Sequence, residues 1–136
     1  MAACYIVQAL EAILATITYV VTSCEEILYV LEKFEEDDRR AITRNCRNGE
    51  LGVSFGTYEP IYAVVFRKES DYLLIEAFED GRLVGREKVR VQEYVKAALG
   101  FLEEYLKGTK DEAYLTGLER VKELVRKSKY RNVLGG

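Results

Sequence analysis

The chain has 136 residues, of which 49% are aliphatic or aromatic and 32% are charged, and its formal net charge is −3. This length and balance predict a single globular domain, residues 1–136, with a sizeable core, and argue against a disordered chain. Because the chain has no His, the commonest general base and metal ligand is missing. We therefore expect no enzyme, metal, cofactor or small-molecule substrate.

The composition also favours a heat-adapted source. Glutamine occurs only at Gln8 and Gln92, whereas Glu, Lys, Arg, Tyr and Val are abundant. Enrichment in charge with depletion of thermolabile amides is typical of thermophile proteins. We expect a thermophilic, archaeal protein.

Three cysteines, Cys4, Cys24 and Cys46, are odd in number and widely spaced. With no His beside them they indicate neither a zinc site nor a complete disulfide framework. We interpret them as small buried hydrophobic residues, with a redox or ligand role as the alternative. This favours a cytoplasmic protein.

Residues 1–40 are predicted to be helical. The run from Ala2 to Cys24 is apolar, but Gln8 and Glu11 interrupt it and no basic region precedes it, so we expect a buried helix rather than a membrane span or signal peptide. A second apolar period follows, preceded by capping signals at Thr22 and Ser23.

Residues 49–91 are predicted to be a sheet. Four segments rich in Val, Ile, Tyr and Phe alternate with turn signals: Leu51 to Tyr58, Ile61 to Lys68, Asp71 to Glu79 and Arg82 to Val91. The fold class is therefore α+β, a four-stranded antiparallel meander sheet flanked by N-terminal and C-terminal helices. Glycines at Gly52 and Gly56 predict bulges, strong curvature or the close approach of another backbone in the first strand.

The Asp80-Gly81 pair predicts a type I′ hairpin between the third and fourth strands. An unbroken register from that turn would pair Ala77 with Val84, Ile75 with Arg86, Leu73 with Lys88 and Asp71 with Arg90. Three cations would then share one face with an aliphatic stripe.

Residues 92–128 return to a helical period, and residues 129–136 form a basic tail. Within this region Thr109 and Glu112 make a capping box for the last helix. The acidity is confined to residues 1–38, whose net charge is −7, and the rest of the chain is mildly basic.

Cations beside exposed aromatic rings are what single-stranded nucleic acid binding requires. The candidate phosphate contacts are Arg86, Lys88 and Arg90, the candidate stacking rings are Tyr62, Phe66 and Tyr58, and the track would be extended by Arg67, Lys68, Arg39, Arg40, Arg44 and Arg47. The alternatives are ordinary core aromatics and a solvated helix end with local ion pairs.

Four antiparallel strands that run into an amphipathic helix, with a charged hairpin and the segment REKVRV before Gln92, resemble the β-β-β-β-α module of Whirly and coactivator single-stranded DNA binders. The likeness covers about Leu51 to Lys107. With the added helices and the composition, the chain also resembles the archaeal ThermoDBP family, which binds single-stranded nucleic acid. It departs in its acidic net charge and lacks a long heptad tail.

We therefore expect a non-enzymatic protein that binds single-stranded DNA or RNA through a basic sheet face. The alternative is a protein-interaction or homodimerisation module, for which the apolar Ala2 to Val21 segment is the best support. We expect no membrane partner.

Overall fold

The computed structural model describes residues 9–47, 49–55 and 59–135. These form an α+β fold in which five antiparallel strands make one sheet and five α-helices are distributed before and after it. In these ranges no helix combines the length and apolar character needed to cross a membrane.

The helices and strands follow in chain order. They are α1 Ala9–Val21, α2 Ile27–Val30, α3 Glu36–Arg44, β1 Cys46–Arg47, β2 Glu50–Phe55, β3 Tyr62–Glu69, β4 Tyr72–Glu79, β5 Arg82–Arg90, α4 Val91–Tyr105 and α5 Glu112–Arg126, with short 3₁₀ turns at Cys24–Glu26 and Arg131–Leu134. The strand order β1-β2-β3-β4-β5 is a meander, and its fifth member, the two-residue β1, corrects the predicted four strands.

Helix α1 lies at the centre of the core. It contacts α2, α4, α5 and β2, and Leu14 and Ile17 are completely buried. Its two interior threonines, Thr16 and Thr18, are also buried because each hydroxyl donates to the carbonyl four residues earlier, at 2.7 and 2.8 Å. This local pairing lets a threonine-rich helix occupy the core without unsatisfied hydroxyls.

Helices α4 and α5 each begin at a position that hydrogen bonds define. Helix α4 starts directly after β5, and the amide of its first residue, Val91, donates to the carbonyl of Asp71 at 2.8 Å. Helix α5 is capped by Asp111, whose carboxylate accepts from the amides of Ala113 and Tyr114. The predicted Thr109 capping box is therefore wrong, because the carboxylate two residues later takes that place.

A disulfide joins Cys24 to Cys46, at a sequence separation of 22 residues. This corrects the prediction that these cysteines are only small buried hydrophobic residues. The bond ties the end of α1 to β1 and closes the segment that contains α2 and α3. The remaining cysteine, Cys4, lies outside the described residues.

Glu11 is the main polar exception within the core. Glu11 lies in the first turn of α1 among apolar neighbours, and it is only 3% exposed. Burial, a hydrogen bond to the Asp38 side chain, and the charges of Asp38 and Glu35 raise its pKa from 4.5 to about 8. A neutral carboxyl group is therefore buried here at neutral pH.

Replacing both Cys24 and Cys46 with Ser should lower the free energy of unfolding by roughly 3 kcal/mol, because the unfolded chain regains the entropy of an open 22-residue loop. Urea denaturation followed by circular dichroism measures the loss. The matched comparison is the wild-type chain in a reductant, which should lose a similar amount. Alkylation of peptides with Cys24 and Cys46 in the unreduced, unfolded chain would contradict the pairing.

Candidate nucleic-acid interface

The two faces of the sheet differ in what covers them. One face, the helix-covered face, carries apolar side chains that pack against the core: Cys46, Leu51, Val53, Phe55, Val64, Phe66, Leu73, Ile75 and Val89. The opposite side chains alternate with these along each strand, and none of their apolar members belongs to the core cluster of the described chain. We call this second surface the open face.

The open face is defined by the strand register. Its residues are Arg47, Glu50, Gly52, Ser54, Ala63, Val65, Arg67, Glu69, Tyr72, Leu74, Glu76, Phe78, Leu83, Arg86, Lys88 and Arg90. Strands β4 and β5 contribute most of its charged and aromatic members.

A bulge in β5 decides which side chains reach the open face. Both central residues of the Asp80-Gly81 turn have positive φ, 48° and 84°, as a type I′ turn requires, so the predicted hairpin is confirmed. The register then shifts between Ala77 and Phe78, so that Phe78 pairs with Leu83 but Ala77 pairs with Gly85. Val84 is the extra residue.

This bulge overturns the register predicted from the turn. Arg86, Lys88 and Arg90 pair with Glu76, Leu74 and Tyr72, not with Ile75, Leu73 and Asp71. Because directly opposed residues point to the same side, the three cations lie on the open face and away from the aliphatic stripe that packs on the helices. The bulge predicted at Gly52 is absent, since β2 pairs with β3 in continuous register there.

An ion-pair ladder crosses four strands of the open face. Arg67 Nε lies 3.5 Å from Glu50 Oε1, and Arg67 Nη2 lies 3.4 Å from Glu76 Oε1. Arg86 donates to Glu76 Oε2 from Nη2 at 2.8 Å and from Nε at 3.0 Å. Glu76 is consequently 8% exposed although no described helix covers it, because two arginines enclose its carboxylate.

The Tyr72 ring lies close to two cations of β5 at the α4 end of the open face. Lys88 Nζ is 5.1 Å from the ring centroid and Arg90 Cζ is 5.3 Å from it. Lys88 also lies 3.9 Å from Glu69, a long ion pair between exposed side chains. These two cations are held less tightly than Arg86.

The other end of the open face is apolar. Ala63, Phe78 and Leu83 form a row across β3, β4 and β5, and the Leu83 residue is 46% exposed. Val84, displaced by the bulge, is 55% exposed beside them. A ring and two aliphatic side chains open to solvent are a place where a base or another apolar group can stack.

The structure separates the candidate rings from the candidate cations. Phe66 lies on the helix-covered face, with its ring centroid 6.2 Å from that of Tyr94 of α4. Tyr62 has the same parity but is 47% exposed, and its hydroxyl donates to Glu79 at 3.4 Å. Tyr58 lies outside the described residues.

Lys68 also belongs to the helix-covered face. Its Nζ donates to the Val20 carbonyl at 3.2 Å, at the end of α1, and burial and the charge of Lys129 lower its pKa. Of the cations predicted to extend the track, Arg67 and Arg47 are the ones whose register places them on the open face.

The other predicted arginines lie on α3, whose Ala41 and Ile42 belong to the core. Arg39 Nε donates to the Phe34 carbonyl at 3.1 Å, and Arg40 pairs with Glu36 at 2.7 Å. Arg44 is the last residue of the same helix. These three therefore do not continue the cations of β5 across the sheet.

Sequence reasoning missed Tyr72, Leu74 and Phe78 as members of the open face. The register predicted from the Asp80-Gly81 turn contains no bulge, so it places these three side chains on the face opposite the cations. The available signal was Val84-Gly85, where a glycine follows a β-branched residue near the strand end.

The open face is basic overall. It carries five cations, Arg47, Arg67, Arg86, Lys88 and Arg90, against three carboxylates, Glu50, Glu69 and Glu76, so its net charge is +2. The chain as a whole carries −3. Positive charge is thus concentrated on this surface.

No protein-family model matches the chain, and no curated protein or solved structure is significantly similar to it.

Glu76→Gln should lower the free energy of unfolding by about 1–2 kcal/mol, because it removes the carboxylate charge that pairs with Arg67 and Arg86. The matched control is Glu87→Gln on the neighbouring strand, an exposed residue, which should change it by less than about 0.5 kcal/mol. Urea denaturation at neutral pH measures both. Equal losses in the two variants would contradict the ladder.

Proposed function

We propose that the open face binds single-stranded DNA or RNA. The observation that carries this is the Val84 bulge, which brings Arg86, Lys88 and Arg90 onto the same surface as Tyr72, Leu74 and Phe78. Cations that contact phosphates next to rings that stack bases are the two parts that single-strand binders combine.

The spacing of the cations suits an extended ligand. Alternate residues of a strand are roughly 6.8 Å apart, so Arg86, Lys88 and Arg90 form a straight row along β5. The row lies at the edge of the sheet, and the residue between each pair points to the other face. A backbone that follows β5 would bring bases over β4, where Tyr72 and Phe78 lie.

The carboxylates of the open face limit the affinity. Arg67 and Arg86 are engaged by Glu76, whereas Lys88 and Arg90 have a long ion pair and a ring contact. Two or three phosphates are therefore the expected number of strong contacts. For single strands this corresponds to a slope of about −1.4 to −2.1 in log affinity against log salt.

The disulfide is compatible with the heat-adapted source that the composition suggests. Intracellular proteins of hyperthermophiles are rich in disulfides, unlike those of mesophiles. We propose a thermophilic archaeal protein of the kind that the ThermoDBP resemblance implies, with the Cys24–Cys46 bond as one source of its stability.

Fluorescence anisotropy with labelled 20-nucleotide poly-dT and poly-U tests the binding function at two salt concentrations. The chain should bind at low salt with the slope given above. Lys88→Glu with Arg90→Glu should weaken binding at least tenfold and reduce the slope by about 1.4. The matched control is Lys107→Glu with Lys110→Glu, which changes net charge equally at two exposed positions in the loop between α4 and α5.

If the open face is the interface, Glu76→Gln should strengthen nucleic-acid binding, whereas the variant with Lys88→Glu and Arg90→Glu weakens it. Glu76→Gln frees Arg67 and Arg86 for phosphates, so affinity should rise several-fold even though the fold is less stable. Binding that is absent at low salt, or that the two double variants weaken equally, would exclude the open face.

Self-association is the second candidate function, and a specific surface favours it. Phe101 and Tyr105, one turn apart on α4, are 50% and 66% exposed, and their ring centroids are 5.6 Å apart. By contrast, the apolar α1 is occupied by the core of its own chain, since Leu14, Ile17 and Val20 are at most 1% exposed. A homodimer would therefore use α4 rather than α1.

Light scattering tests this second function. A dimer through α4 has twice the 15.6 kDa chain mass, and Phe101→Lys with Tyr105→Lys should return it to the mass of one chain. The matched control is Leu28→Lys on α2, which is 52% exposed and should leave the dimer intact. A single-chain mass at high concentration would rule out self-association.

A further inference from the structure

A second polar site lies on the helical side, away from the open face. It is a pocket of about 260 Å³ between α1, the segment before α3, α3 and the start of α5. Four carboxylates line it, from Glu11, Glu35, Asp38 and Asp111, against the single cation of Lys33 among the described lining residues. The balance of charge favours a positively charged ligand.

Glu11 supplies the observation that points to an occupant. Its residue is 3% exposed and lines the pocket, yet Oε2 has no hydrogen-bond partner in the structure. It is the one such buried side-chain atom among the residues described. Leaving a buried carboxyl oxygen unsatisfied is unfavourable, so buried polar atoms nearly always have a partner.

Aromatic rings form the apolar part of the wall. Phe34 and Tyr114 meet edge to face with centroids 5.0 Å apart, and both line the pocket. Burial and the charges of Glu11, Asp111 and Asp38 raise the pKa of Tyr114, which reflects the negative potential of the site. Rings beside carboxylates are a combination that holds alkylammonium groups.

The geometry distinguishes between kinds of cation. Among the described residues, no three or more Cys, Asp or Glu side chains are grouped so that they could hold a metal ion. The pocket is also smaller than the roughly 300–1,000 Å³ of sites for drug-sized ligands. A short alkyl chain that carries hydrogen-bond donors fits both the lack of a metal-binding group among the described residues and the small volume of the pocket.

We propose that this pocket binds the ammonium group of a small aliphatic amine. Glu11 and Asp38 accept hydrogen bonds from the ammonium group, and Phe34 and Tyr114 enclose the alkyl chain. Glu35 and Asp111 provide the remaining negative charge at the pocket wall, which the cation of Lys33 offsets in part.

Binding of the amine replaces the proton on Glu11 with the ammonium group. Before binding, the Glu11 carboxyl holds a proton at pH 7, because burial and the carboxylates of Asp38 and Glu35 raise its pKa to about 8. The ammonium group stabilises the carboxylate, so the proton leaves to solvent as the amine enters. Close to one proton is released per amine at pH 7, and affinity rises between pH 6 and pH 8.5.

Isothermal titration calorimetry with butane-1,4-diamine tests the proposal on the whole chain. Titrations at pH 7 in two buffers of different ionisation enthalpy measure both the affinity and the protons released. Glu11→Gln keeps a neutral group of the same size, so the fold should persist; affinity should fall at least tenfold and proton release should vanish. Butane-1,4-diol, which lacks the charge, should not bind.

Asp38→Asn provides a second variant that does not depend on Glu11→Gln folding, and it should also weaken diamine binding at least tenfold. Its matched control is Asp37→Asn on the same helix, an exposed position outside the pocket lining, which should leave affinity within about twofold.

Three results would overturn the proposal. They are the absence of diamine binding to the wild-type chain, diamine binding that survives both Glu11→Gln and Asp38→Asn, and binding of magnesium chloride without any binding of diamine.

Discussion

One extra residue in an edge strand determines the character of this sheet. A two-residue turn at Asp80-Gly81 starts a register in which β5 would present Arg86, Lys88 and Arg90 toward the helices. Val84 shifts that register by one position and turns all three cations outward. The helix-covered face then keeps Leu73, Ile75 and Val89 for the core.

The same shift creates a competition on the open face. Glu76 becomes the partner of Arg86 and, through Arg67, the centre of a ladder that reaches Glu50. A carboxylate enclosed by two guanidinium groups stabilises the sheet because charged hydrogen bonds are strong where water is excluded. In the proposed interface it would also compete with phosphates for those arginines. Stability and the proposed binding would therefore draw on the same side chains, whereas Lys88 and Arg90 are not paired with Glu76.

Local signals in the sequence were enough for most elements of the fold. The Asp80-Gly81 turn, the strands β3, β4 and β5 and the helices α1, α4 and α5 depend on neighbouring residues, so each was predicted within a few positions, whereas β1 and the break between α2 and α3 were not predicted. The face occupied by Phe66 depended instead on which elements pack above it. The Cys24–Cys46 bond depends on two positions 22 residues apart, whose proximity no spacing rule provides. The predicted register of the candidate site was wrong because one unpredicted residue, Val84, reverses every side chain beyond it.

The two charged surfaces lie on opposite sides of the sheet, and the ligands proposed for them carry opposite charges. Residues 1–38 carry −7, and the described part of this segment contains α1, α2 and the first three residues of α3, where Glu11 and Asp38 line the acidic pocket. The open face carries +2 beyond the sheet. At physiological ionic strength, salt screens charges that face each other through solvent over about 8 Å. Phosphates that approach the helical side through solvent are therefore repelled only at close range. At low ionic strength the screening weakens, and the acidic helices then oppose the approach of any polyanion except from the side of the open face.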